Sequence, residues 1–202
     1  MDDTQKICEK AAELVNKNGV AVIGIDGLGG AGKSTISEGV CACLEKSGIH
    51  TILLHIDDFI TPRKIRYDER FPQWQCYYER QWRYDYLRRV IDELRQNGKV
   101  TAELYDKEND SYISAKYCTD KRTVIIIEGI FLQRKELDGV FGLMVYMDVS
   151  EEERLKRVLT RDTYIGDDSE IRRKYEDRYF PAERRYVQEY EPAKKADMVI
   201  KA

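Results

Sequence analysis

The stretch from Ile25 to Thr35 reads IDGLGGAGKST, with glycine at positions 27, 29, 30 and 32 and then Lys33, Ser34 and Thr35. Residues 27–34 fit the pattern G-x-x-x-x-G-K-[ST]. Glycine lets the backbone turn tightly enough for its N–H groups to point inward at an anion. A helix opening at Lys33 would add its positive N-terminal end to the same place. Lys33 would reach the β- and γ-phosphates of a nucleotide, and the Ser34 hydroxyl is a ligand suited to Mg2+. Gly27, Gly29, Gly30, Ala31, Gly32, Lys33, Ser34 and Thr35 are therefore expected to bind a nucleoside triphosphate. ATP is the expected donor and Mg2+ the expected metal. The chain has no N-K-x-D guanine motif, since the nearest string, Thr119-Asp-Lys-Arg122, does not fit. It has no LSGGQ signature either, so a GTPase switch is disfavoured and nothing argues for guanine over adenine.

Two other strings place carboxylates just after apolar runs. In HIDDFITP, Asp57 could accept the proton of an attacking hydroxyl or hold that hydroxyl in line with the γ-phosphate, and Asp58 could help position Mg2+ or water. The competing role is a solvated acidic turn or a helix cap. In VIIIEGIF, Glu128 stands where a Walker B acid would, able to contact the metal through water or to bind the acceptor. The competing role is a strand-end carboxylate with no function. Arg154, Arg157 and Arg161, spaced i, i+3, i+7, share one helix face. Guanidiniums facing a triphosphate would neutralise charge as the phosphoryl group moves; otherwise they form a solvated basic face paired with Glu151 to Glu153. Thr163-Tyr-Ile-Gly-Asp-Asp168 reads as a mobile turn suited to a lid that excludes water.

The elements that must position these groups alternate along the chain. The periodicity predicts a helix over 4–18, a strand over 20–25, a helix over 33–46 closed by Gly48, and a strand over 51–56. A long helix is expected over 75–97, with strands over 123–127, 143–147 and 198–200. Ser150 to Glu153 reads as a capping box, and Pro181 as the first turn of a last helix after a break near Phe180. Continuous β-branched strands separated by helices imply an α/β fold, a parallel sheet of about five strands with helices on both faces. Ligands in such sheets bind at the carboxyl ends of strands, which is where residues 26–35, 57–58 and 128 fall. One domain over 1–202 is expected, with a lid at about 154–175.

Composition narrows the partners. Hydrophobic residues make up 42% of the 202 and charged ones 35%, yet the net charge is only −3. That balance gives no support to a nucleic-acid or membrane-surface partner. No apolar run is of membrane-spanning length and the N-terminus lacks a signal pattern, so a cytoplasmic address is expected. The segment 63–87 is dense in Tyr, Trp and Arg, which suits stacking on a base and clamping a ribose, or equally an aromatic face packed on the sheet. Its interspersed Asp68, Glu69, Glu79 and Asp85 argue against a nucleic-acid groove. The five cysteines show no C-x-x-C spacing and are expected to pack as free thiols, and His50 and His55 to be structural. Oligomerisation is left open.

Taken together, IDGLGGAGKST, DDF, IIEGIF, RLKRVLTRD and YFPAERRYVQEYEPAKKADMVI resemble the uridine kinase family of P-loop nucleoside kinases, with phosphoribulokinase and bacterial pantothenate kinase as similar relatives. The resemblance spans about residues 20–200. It implies ATP- and Mg2+-dependent phosphoryl transfer to a small-molecule hydroxyl, with the 5′-hydroxyl of uridine or cytidine the first acceptor to consider. It implies that Asp57 is the catalytic aspartate, Lys33 and Ser34 the phosphate and metal positions, Glu128 the EG acid, and Arg154, Arg157 and Arg161 the lid arginines. Tyr105, in ELYD, would approach the nucleoside. Two positions depart from the pattern: Ile60 stands where the family has Tyr, and Asp110 where it has a His against the pyrimidine. An acceptor offering donors to Asp110, or another alcohol such as a sugar phosphate or a pantothenate-like molecule, is the alternative. A nucleotide-binding regulatory protein without turnover is the alternative outside enzymes.

Overall fold

The computed structural model describes residues 2–201. The chain runs through α1 (Asp3–Asn18), β1 (Val20–Gly27), α2 (Lys33–Lys46), β2 (His50–His55), a 3-10 turn (Ile56–Phe59), α3 (Arg63–Arg66), α4 (Gln73–Arg80) and α5 (Tyr84–Asn97). It continues through β3 (Lys99–Asp106), β4 (Ser111–Cys118), β5 (Thr123–Gly129) and β6 (Leu143–Asp148). It closes with α6 (Glu151–Arg161), α7 (Asp168–Lys174), α8 (Phe180–Tyr190), α9 (Pro192–Lys195) and β7 (Met198–Lys201). Among the described residues no helix is long and apolar enough to cross a membrane.

The main sheet is parallel throughout, in the order β2-β5-β1-β6-β7, as the β-branched runs predict. Alternate residues of each strand face opposite sides. Ile23, Ile25, Val124, Ile126 and Val145 pack under Ile7, Ala11 and Val15 of α1 and Val40 and Leu44 of α2. Val22, Ile52, Leu54, Ile125 and Ile127 pack under Leu87, Val90, Ile91 and Leu94 of α5 and Tyr186 of α8. Burying each such aliphatic chain contributes about 1.5–3 kcal/mol, so the sheet is held from both faces and its carboxyl edge is a rigid rim. The register sets Ile25 beside Glu128, and His55 beside Glu128 on the other side. The ends of β1, β5 and β2 therefore lie next to one another.

Four expectations need correction. The helix expected over 75–97 is two helices, because residues 81–83 pair with 59–61. Thr61 N–H donates to Gln81 O (2.8 Å), Arg83 N–H donates to Phe59 O (2.7 Å), and Trp82 bridges Ile60. The aromatic spacing Tyr78, Trp82, Tyr86 continues a helical face across that break and hides it. The antiparallel hairpin of β3 and β4 was not expected at all; β4 is largely exposed, so it carries no apolar run. Its turn places Asp110 at φ 49°, a left-handed conformation that Asp tolerates. The helix does not break near Phe180. A turn of π-helix over Tyr175–Tyr179 joins α7 to α8, widening the backbone where Pro181 lacks an N–H and its ring would strike the carbonyl four residues back.

The cysteines do not all pack as free thiols. Cys8 of α1 and Cys43 of α2 form a disulfide, their Cα atoms held 6.3 Å apart by the packing of the two helices, within the usual span of such a bond. Sequence spacing could not show this, since it depends on how α1 and α2 cross to bring together two cysteines 35 residues apart. Thiol titration of the denatured protein without reductant is expected to count the three free groups of Cys41, Cys76 and Cys118, and all five cysteines after reduction. Five without reductant would contradict the bridge.

Candidate active site

The phosphate loop leaves β1 at Gly27 and enters α2 at Lys33. Gly30 and Gly32 have φ values of 81° and 92°, which residues with a Cβ rarely adopt. A Cβ on Gly30 would also lie 2.9 Å from Val158 Cγ1 and 3.0 Å from Arg154 O. Gly30 is thus required twice, for the turn and for the close approach of α6, and Gly32 for the turn. Lys33 reaches back across the loop and its ammonium donates to Leu28 O (3.2 Å). Burial holds its pKa below the usual lysine value, against the pull of Glu128, Asp26 and Asp57. Asp26, to which the sequence reading gave no role, is fully buried at the start of the loop. It accepts from Gly27 N–H (2.8 Å), Gln133 Nε2 (3.1 Å) and the Tyr186 hydroxyl (2.5 Å). Burial raises its pKa above the ordinary carboxyl range.

Glu128, at the end of β5, faces the start of α2. Its Oε1 accepts from the Ser34 hydroxyl (3.4 Å) and is 2.6 Å from His55 Nδ1. That hydrogen bond raises the His55 pKa above the ordinary histidine value. Glu128 in turn stays ionised below the usual glutamate range: burial works against this, and His55, Lys33 and Ser34 outweigh it. His55 is therefore more than the structural residue the sequence suggested. Asp57 and Asp58 sit in the 3-10 turn after β2, with Asp57 exposed. Burial raises the Asp58 carboxyl pKa. The Ser34 hydroxyl and the carboxylates of Glu128 and Asp57 are hard oxygen donors of the kind Mg2+ takes, whereas Asp58, expected to share in this, does not line the cavity. Among the described residues no three His, Cys, Asp or Glu side chains cluster closely enough to hold a metal by themselves, so the phosphates and water would have to supply the remaining ligands.

Lys33, Ser34, Asp57 and Glu128 line one cavity of about 550 Å3. Its far wall carries Arg63, Arg66, Lys107 and Lys174, with Tyr67, Tyr77 and Tyr179. Gln81 lines it too, brought there by the break between α4 and α5. Tyr105 and Asp110 do not line the cavity. They stand behind it, tied together: the Tyr105 hydroxyl donates to Asp110 Oδ1 (2.7 Å), Arg63 N–H donates to the same oxygen (2.9 Å), and Arg66 Nη2 donates to the Tyr105 oxygen (2.8 Å). These bonds hold the Asp110 pKa below the usual range. The charge of Asp110 is thus spent within the protein, fixing the hairpin turn to α3.

The three α6 arginines occupy three different settings. Arg161 lines the cavity, its guanidinium on the buried Asp162 (2.7 Å). Arg157 is half-exposed, donates to Glu153 (3.1 Å), and its Nη1 lies 3.9 Å from where a Cβ on Gly32 would be. Arg154 is buried and donates to Glu183 Oε2 (2.6 Å) and Gly29 O (3.1 Å). Glu183, on α8, lay in the quoted PAE string, but nothing in the sequence marked it as a contact of the phosphate loop. Ser150 caps α6, accepting from Glu153 N–H (3.3 Å), but the expected capping box is half-made, because the Glu153 carboxylate accepts from Arg157 instead; a reciprocal capping box at Asp167 and Glu170 opens α7.

Comparison with known proteins identifies the family. Residues 22–202 match the model of the phosphoribulokinase / uridine kinase family. The uridine kinase of Staphylococcus epidermidis is 28% identical over 151 residues, covering 72% of this chain and 70% of that one. The structure of a possible uridine kinase from Bacillus stearothermophilus is similar with a TM-score of 0.79 and 29% identity, covering 98% of this chain and 96% of the other. A putative fructose transport system kinase from a Silicibacter species shares the fold at a TM-score of 0.81 and 19% identity, over 99% and 100% of the two chains. An α/β parallel sheet carrying a phosphate loop, with carboxylates at the ends of its neighbouring strands and a match over nearly the whole chain, places the protein: it belongs to the phosphoribulokinase / uridine kinase family and is a kinase of that kind.

Proposed function

We propose that this single-domain chain transfers the γ-phosphoryl group of ATP to a hydroxyl of a small molecule, as a cytoplasmic enzyme. The observation that carries the reading is the shared cavity: Lys33, Asp57 and Glu128 line one space together with Arg63, Arg66, Lys107 and Lys174. ATP would lie along Gly27–Thr35, with Lys33 on its terminal phosphates. Asp57, the exposed carboxylate at the mouth of β2, would orient the acceptor hydroxyl and take its proton as the new O–P bond forms and the bond to ADP breaks. Ser34 and Glu128 would hold Mg2+, whose charge would offset that of the phosphates. Arg157 and Arg161, beside the loop and the cavity, would face the phosphates when the lid closes; Arg154, buried on Glu183 and Gly29 O, would not.

The 5′-hydroxyl of a pyrimidine nucleoside is the first acceptor, supported by the relatives named uridine kinase. A second reading has its own observation. The far wall holds Arg63, Arg66, Lys107 and Lys174, while Asp110, the substituted pyrimidine position, is engaged by Tyr105 and Arg63. Such a wall suits an acceptor alcohol that also bears a phosphate or carboxylate.

Asp57→Asn is expected to lower kcat by about 10²–10⁴ while ATP affinity, measured by calorimetry, stays within about twofold. Undiminished turnover in the variant would remove Asp57 from the reaction, and absence of any turnover in the native protein would favour a regulatory nucleotide binder. The double variant Lys107→Ala/Lys174→Ala separates the acceptors. Its KM for a phosphorylated or carboxylated alcohol should rise about tenfold, whereas an unchanged KM with a neutral nucleoside as the best substrate would support the first acceptor.

A further inference from the structure

Gly29, in the middle of the phosphate loop, is gripped at both of its backbone groups. Its N–H donates to Glu183 Oε1 (2.9 Å) and its carbonyl accepts from Arg154 Nη1 (3.1 Å). The ring is closed by Arg154 Nη1 on Glu183 Oε2 at 2.6 Å, and Arg154 Nε is itself fixed by Val149 O (3.1 Å). Glu183 is 1% exposed and Arg154 2%. A Cβ on Gly29 would come within 3.1 Å of Glu183 Oε1, so the missing side chain is what lets the carboxylate close on the loop.

Resting on the reading that this loop binds the phosphates of ATP, we propose that Glu183 is a positioning residue for the nucleotide: with Arg154 it fixes the peptide planes on either side of Gly29, and so aims the N–H groups of the loop. Two charges withdrawn from water are an inefficient way to fill a core, and an apolar pair of equal volume often packs as well or better. What the pair supplies that apolar chains cannot is a directed hydrogen bond to each of the two peptide units that flank Gly29. Both units belong to the loop whose shape the anion requires. Arg154 is thereby neutralised, and it works through the loop backbone rather than on the phosphates.

The test is calorimetric binding of a non-hydrolysable ATP analogue to the native protein, Glu183→Gln, Glu183→Ala, Arg154→Met and the Ala/Met double variant, each checked for folding by thermal melting. Steady-state kinetics accompany it. Glu183→Ala is expected to weaken binding and raise KM for ATP about tenfold, with kcat and the acceptor KM within about threefold. Glu183→Gln keeps an oxygen for Gly29 N–H but loses the ion pair, so it should fall between, about threefold weaker than native. Because the two side chains act as one brace, the double variant should be no weaker than Glu183→Ala alone. Binding within twofold of native by a folded Glu183→Ala protein, or single effects that add in the double variant, would overturn the brace. Where the Ala variant does not fold, the isosteric Gln variant decides in its place, native-like binding overturning the proposal. A native protein that binds no analogue would instead overturn the phosphate-loop reading beneath it.

Discussion

A cradle made of backbone amides grips an anion only while its peptide planes keep their directions, and a glycine loop has no side chains of its own with which to keep them. Other parts of the chain must do it. In this protein the loop is fixed at three points. Asp26 takes the N–H of Gly27 at its start, the Arg154–Glu183 pair takes both backbone groups of Gly29 at its middle, and the first turn of α2 carries its end. Two of these anchors are buried charged groups, which would be costly without partners. Each has them: Asp26 is satisfied by Gln133 and Tyr186, and Glu183 by Arg154. Gln133, Arg154, Glu183 and Tyr186, all from the far half of the chain, therefore serve a loop that ends where α2 begins at Lys33.

The parallel sheet supplies the second requirement, that the acidic groups arrive beside the phosphates without being near them in sequence. Register does this. Glu128 lies level with Ile25 on one side and His55 on the other, so one residue beyond the apolar runs of β5 and β2 is enough to put a carboxylate at the mouth of the loop. Glu128 and His55 then adjust each other. Their hydrogen bond keeps the carboxylate charged despite its burial and makes the imidazole more basic. The rest of the cavity lining is assembled differently, from α3, the break between α4 and α5, the hairpin turn and α7, the parts of the fold outside the main sheet.

That division explains what was legible in advance. The loop, the strand-end acids Asp57 and Glu128 and the strands of the main sheet all announce themselves as local strings, because apolar runs and glycine spacing are imposed by burial and by backbone geometry. The residues that were missed act at long range. Nothing near Glu183 in the sequence shows that it meets Gly29, 154 residues away. Nothing in Cys8 shows that it faces Cys43. The hairpin escaped because an exposed ribbon needs no apolar run, and the break at residues 81–83 escaped because the aromatic spacing on both sides kept helical phase. Asp110 stood out as a departure from the pattern that the resemblance implies, but only the structure shows where its charge goes: to Tyr105 and the backbone of α3.

The most direct test of the account is release of ADP from Mg-ATP, measured with and without each member of an acceptor panel: uridine, cytidine, adenosine, guanosine, several sugar phosphates and pantothenate. The account predicts release that depends on one class of alcohol, with the acceptor recovered as its phosphate ester. ATP binding with no acceptor-dependent release across the panel, or release at the same rate with no acceptor present, would contradict it.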